Sequence, residues 1–91
     1  MGAVADHMRM KLAAAFSPSL LEIEDESARH HGHAGARPSG ETHFNLVIEA
    51  AAFKGMSRVQ RQRAVYAALA EALAGPVHAL SVKALAPGEG R

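Results

Sequence analysis

The sequence predicts one small α+β domain, and three observations predict it. Apolar side chains recur every four residues near the start of the chain, two later segments alternate apolar with polar residues, and a Gly-Pro pair separates a second helical stretch from a third strand. A chain of 91 residues has room for one modest core, since a chain this short buries only about 60–65% of the surface it exposes when unfolded. Aromatic side chains are confined to Phe16, Phe44, Phe53 and Tyr66. The core must therefore be Leu, Val and Ile packed against Ala-rich helices.

The first helix is expected from about Val4 to Phe16, where Val4, Met8, Leu12 and Phe16 mark one face and Arg9 and Lys11 turn outward. Ser17-Pro18-Ser19 ends it, because a residue before proline is pushed out of the α region. Leu20 to Asp25 sets Leu21 and Ile23 against Glu22 and Glu24, the pattern of a strand with one buried face. Residues 27–40 carry Gly32, Gly35, Pro38 and Gly40, which breaks regular structure. This flexible loop holds His30, His31 and His33.

The second strand is expected from about Thr42 to Ala50, with Phe44, Leu46 and Ile48 inward and His43, Asn45 and Glu49 outward, forming an antiparallel hairpin with the first. Phe53-Lys54-Gly55-Met56 reads as a turn and Ser57 as the N-cap of a helix to Leu73. Val59, Gln62, Tyr66, Leu69 and Leu73 mark that helix's inner stripe. Gly75-Pro76 stops it. Val77 to Leu85 is the third strand, with His78, Leu80 and Val82 on one face, and residues 86–91 read as a disordered tail.

A net charge of +1 lacks the broad positive field of a protein that grips nucleic acid chiefly through phosphates. With no cysteine, the chain cannot form a disulfide, a nucleophilic thiol or a Cys-ligated cluster alone. No apolar run approaches the length of a membrane span or a secretory signal, so a soluble cytoplasmic protein with no membrane partner is expected. Neither a Ser-His-Asp set, a Gly-rich phosphate loop nor a zinc-hydrolase spacing is present, and an enzyme is not expected.

Three segments together resemble the BolA family: Glu41-Thr42-His43-Phe44; Phe53-Lys54-Gly55-Met56-Ser57 with Arg61, Arg63, Val65 and Tyr66; and Gly75-Pro76-Val77-His78-Ala79-Leu80. The similarity extends from about Leu20 to Leu85. It implies a class II KH-like α-β-β-α-α-β fold over residues 1–85, with a three-stranded mixed sheet and helices on one face, the second helical stretch being split near its start. It also implies a heterodimer with a monothiol glutaredoxin and a [2Fe-2S] cluster shared with that glutaredoxin and its glutathione. Where the family commonly has Arg-His-Arg, this chain has Arg61-Gln62-Arg63.

His78 is the first candidate ligand, because neutral imidazole binds iron and zinc well and a strand start beside a Gly-Pro bend leaves one ring nitrogen free while backbone can fix the other. The matching histidine ligates the cluster in the family. His33, with His31 and His30 as alternatives, occupies the loop position where one branch of the family carries a second histidine ligand. The bland reading is a loop whose histidines merely cluster. A [2Fe-2S] cluster needs four ligands, and two histidines in place of two thiolates on one iron is an established pattern. The partner must supply the sulfurs.

Lys54, Arg58, Arg61 and Arg63 gather near the start of the long helix. They are candidate contacts for an acidic partner or for nucleic acid, and otherwise a solvated face. A DNA-binding regulator of stress or morphology genes is the alternative function, with weak binding expected at this charge. A KH-style grip is disfavoured, since Phe53-Lys54-Gly55-Met56-Ser57 lacks a Gly-x-x-Gly loop. His43 reads as a structural residue paired with Thr42 or Glu41.

Overall fold

The computed structural model describes residues 2–26 and 42–89. Helix α1 (Ala3–Phe16) is followed by β1 (Leu20–Asp25), β2 (His43–Glu49), a 3₁₀ turn (Ala51–Phe53), α2 (Arg58–Ala68), α3 (Ala70–Ala74) and β3 (Ala79–Leu85). The strands form one sheet in the order β1-β2-β3. β1 pairs with β2 antiparallel, Ile23 opposite Leu46. β2 pairs with β3 parallel, Leu46 opposite Val82, so the sheet is mixed and β2 is its centre.

The alternation read from sequence places the core. Phe44, Leu46 and Ile48 of β2 are buried, while Leu21, Ile23, Leu80, Val82 and Ala84 pack against them from the flanking strands. Met8 and Leu12 of α1 are wholly buried on this face, with Val65 and Leu69. Phe16 meets Phe53 with ring centres 4.9 Å apart, a tilted arrangement favoured by the ring quadrupoles. No described helix is long and apolar enough to cross a membrane.

Ser57 caps α2 through a capping box: its hydroxyl accepts from the Gln60 N–H, and the Gln60 side chain accepts from the Ser57 N–H. Just before it, Lys54 (φ −58°, ψ 131°) and Gly55 (φ +79°) form a turn closed by the Met56 N–H on the Phe53 carbonyl. These angles are those of a type II turn, whose third residue favours glycine.

The structure corrects four expectations. The helix from Ser57 breaks at Leu69 and not near its start, because the Leu69 N–H is shared between the Val65 and Tyr66 carbonyls and tightens one turn. Val65, Leu69 and Ala72, spaced i, i+4 and i+7, form the buried face. The inner stripe is rotated accordingly: Val65 is wholly buried, Val59 is 55% exposed and Gln62 is exposed.

His78 does not share the apolar face of Leu80 and Val82. Its N–H and that of Ala79 both donate to the Thr42 carbonyl, at 2.8 and 3.2 Å, so the regular pleat begins only at Ala79. Val77 is buried and His78 is exposed. Finally, residues 86–89 are an ordered turn in which Ala86 is buried and the Glu89 carboxylate accepts from the Ala86 N–H at 2.8 Å.

Candidate functional site

His78 is held by the chain on both sides. The helix before it ends where the Gly75 N–H bonds the Ala72 carbonyl, and the Val77 N–H then returns to the same carbonyl at 3.0 Å. Buried Val77 anchors one side of His78 and the bond to the Thr42 carbonyl fixes the other. The ring is left in solvent on a backbone that cannot wander. This is what a metal ligand needs: little conformational freedom to lose on binding.

His43 stands beside it. The two imidazoles lie 6.4 Å apart between centres and 14° from parallel. The Thr42 hydroxyl and His43 Nδ1 share a hydrogen bond of 2.8 Å, and Thr42 is wholly buried. Thr42 thus orients both histidines, one through its hydroxyl and the other through its carbonyl. The expected Thr42–His43 pairing is present, but the neighbourhood of His43 and His78 was not legible in the sequence. It arises from the parallel register that sets His43 opposite Ala79, a pairing of distant segments that no local pattern announces.

His30, His31 and His33 lie outside the described residues. Among the described residues, no three His, Asp or Glu side chains gather as a metal site. The acidic end of β1 is knitted to β2 instead, with Asn45 donating to both Glu24 and Glu26.

The basic cluster divides. Arg61 donates from Nε to the Met56 carbonyl at 2.9 Å, from a terminal nitrogen to the Ala84 carbonyl at 3.2 Å, and through both terminal nitrogens to Glu89. Its side chain is only 12% exposed. The Arg61 pair and the Ala86 N–H hold the Glu89 carboxyl down at about 2. Arg61 is therefore a brace between α2, β3 and the terminal turn, which corrects its place among the residues offered to a partner. Lys54, Arg58 and Arg63 remain exposed, and Lys83 on β3 joins them.

A family model described as BolA-like protein matches residues 12–89. BolA-like protein 1 of Homo sapiens is 47% identical over 90 residues, covering 99% of this chain and 63% of that protein. The DNA-binding transcriptional regulator BolA of Escherichia coli (strain K12) is 40% identical over 79 residues, covering 87% of this chain and 71% of the regulator. The solved BolA domain of SufE1 from Arabidopsis thaliana superposes with a TM-score of 0.86 at 43% identity, covering 98% of both chains. The chain spans about three fifths of the length of the mammalian relatives it matches.

Proposed function

From the premise that this chain belongs to the BolA-like family, we propose that it is an adaptor, and not an enzyme, which binds a monothiol glutaredoxin and co-ligates a bridging [2Fe-2S] cluster for iron-sulfur trafficking or iron regulation. The observation that carries this reading is the exposed ring of His78 on a backbone locked by Thr42 and Val77.

The donor set fits half of a shared cluster. The chain has no cysteine and so offers imidazole alone; the thiolates come from the glutaredoxin and its glutathione. His78 is the fixed ligand, and His33 is the second, with His31 or His30 able to replace it. Histidine ligation of one iron raises the potential of such a cluster when bound. The role of this chain is to present His78 with its backbone already ordered, while His43 and Thr42 pack its neighbourhood. Lys54, Arg58 and Arg63 supply positive charge for docking, and the complex forms in the cytoplasm.

The test is to mix the purified protein with cluster-loaded monothiol glutaredoxin and follow the visible absorption and circular dichroism. A one-to-one complex with a changed spectrum is expected, while the protein alone stays colourless. Stable reconstitution of a [2Fe-2S] cluster on the isolated chain without added thiol would overturn the reading.

A second reading, DNA-binding regulation, is favoured by one observation: the similarity to the Escherichia coli protein named as a DNA-binding transcriptional regulator. Nanomolar, sequence-selective binding to a promoter fragment would favour it over the first.

A further inference from the structure

Because the sheet runs β1-β2-β3, one long edge of β3 has no neighbouring strand among the described residues. The ladder fixes which backbone groups face that edge. Leu85 accepts from the Ala50 N–H and Ala79 donates to Thr42, so odd-numbered residues of β3 turn toward β2 and Leu80, Val82 and Ala84 turn away. Helix α2 clasps two of the three outward carbonyls. The Tyr66 hydroxyl donates to Leu80 at 2.9 Å, and Arg61 donates to Ala84 at 3.2 Å.

Between the clasps lies Val82, whose N–H and carbonyl have no partner among the described residues. There the surface opens into a cleft of about 400 Å³, walled by Val82, Lys83, Ala84 and Leu85 on one side and by Arg58 and Gln62 on the other. Successive side chains of a strand point to opposite faces, so four consecutive residues border one cleft only along the strand's edge. Neither Arg58 nor Lys83 has an ion-pair partner among the described residues.

We propose that this edge accepts a short, extended acidic segment of a partner protein as a fourth strand, exchanging both backbone hydrogen bonds with Val82 and setting two successive carboxylates against Arg58 and Lys83. The charge arrangement specifies the occupant. Lys83 extends from the open face of the sheet and Arg58 comes from the helix side, and adjacent residues of an added strand also point to opposite sides. Two consecutive acidic residues therefore meet one cation each. A second copy of this chain is a poor occupant, because paired β3 edges would bring two sets of Arg58 and Lys83 together with no carboxylate between them. The clasps at Leu80 and Ala84 limit the segment to a few residues.

The experiment titrates the isotope-labelled full chain with the peptide acetyl-TVEEVT-amide and, separately, with acetyl-TVKKVT-amide. The glutamate peptide is expected to shift the Val82, Lys83 and Ala84 amides and to slow solvent exchange of the Val82 amide; the lysine peptide should do neither. The double variant R58E/K83E, changed only at exposed side chains, should lose about tenfold in affinity for the glutamate peptide and gain affinity for the lysine peptide. Unchanged Val82 exchange at saturation, shifts confined to other residues, or equal binding of both peptides would overturn the proposal. In that case Tyr66, Arg61 and Lys83 serve only to keep the edge from pairing. The result is independent of the histidine site, since the protein is titrated without glutaredoxin or cluster.

Discussion

Thr42 holds His43 and its carbonyl receives the N–H of His78, so a single buried residue aligns two imidazoles 6.4 Å apart from segments separated by two helices. The alignment exists because β2 and β3 are parallel. Parallel neighbours require a crossover, here the 3₁₀ turn with α2 and α3, and the crossover brings the start of β3 back beside the start of β2. Both histidines consequently sit at the same end of the central strand pair.

This geometry ranks the histidines for ligation. His78→Ala should abolish the histidine-ligated visible circular dichroism of the complex with glutaredoxin, because it removes the ligand whose backbone the fold holds in one place. His43→Ala should leave the spectrum recognisable and weaken cluster retention about 10–100-fold, the usual cost of losing a group that supports a ligand. His33→Ala should also weaken retention without abolishing it, since His30 and His31 are adjacent in the chain. Far-ultraviolet spectra of the free variants check folding. A folded His78→Ala variant with an unchanged cluster spectrum would contradict the ligand assignment.

Thr42→Val separates the two tasks of Thr42. Valine keeps the branched shape in a site with no exposed surface, and the carbonyl that receives His78 remains. The hydroxyl bond to His43 is lost. The expected cost is ~1 kcal/mol in urea unfolding, the net worth of an ordinary hydrogen bond. The His43 ring signals should move in the nuclear magnetic resonance spectrum while the His78 amide stays in place. A loss above ~3 kcal/mol would mean that the hydroxyl anchors more than one ring.

The Arg61–Glu89 brace predicts an acid-sensitive chain end. Folding holds the Glu89 carboxyl at about 2, below its ordinary 4.5. A depressed folded value adds stability above the ordinary one, and that stability is lost as pH falls from about 4.5 toward 2. The Glu89→Gln variant should therefore unfold more easily than the parent at neutral pH, with the difference closing as the solution is acidified. Arg61→Ala should cost more, because the Met56 and Ala84 carbonyls also lose their donor. Thermal unfolding between pH 2 and pH 7 measures both. A gap that stays constant across that range would remove Glu89 from the account.

Local chemistry made most of the fold legible. Period-two alternation placed Phe44, Leu46 and Ile48 in the core, proline after Ser17 ended α1, and Ser57 capped α2 as its side chain suggests. What escaped was non-local. Arg61 looks from its neighbours like one of four surface cations, and only the return of residues 84–89 past α2 turns it into a brace. His78 looks like part of an alternating strand because the sharing of the Thr42 carbonyl depends on a register between distant segments. The helix stripe failed for a related reason. Val59 matches the helical period, yet the face that meets the sheet is the one carrying Val65, Leu69 and Ala72, and Val59 is left exposed.

Salt dependence tests how many cations meet DNA, and the brace makes that count specific. With Arg61 committed to Glu89, the original cluster keeps Lys54, Arg58 and Arg63 for phosphate contact. Each neutralised phosphate contributes about 0.9 to the slope of log affinity against log salt, so three contacts give a slope near −2.7 and about a 40-fold loss between 50 and 200 mM salt. Binding to duplex DNA should therefore be weak at physiological salt and nearly indifferent to sequence, because phosphate contacts carry no sequence information. Arg63→Ala should lower the slope by about 1. Arg61→Ala should leave the slope unchanged wherever the variant is folded, since its guanidinium is occupied within the protein. Fluorescence anisotropy at several salt concentrations reads all of these. If Arg61→Ala lowers the slope as much as Arg63→Ala, the brace opens on DNA and Arg61 returns to the contact set; nanomolar binding to one promoter site that survives ~200 mM salt would make the DNA-binding reading the better one.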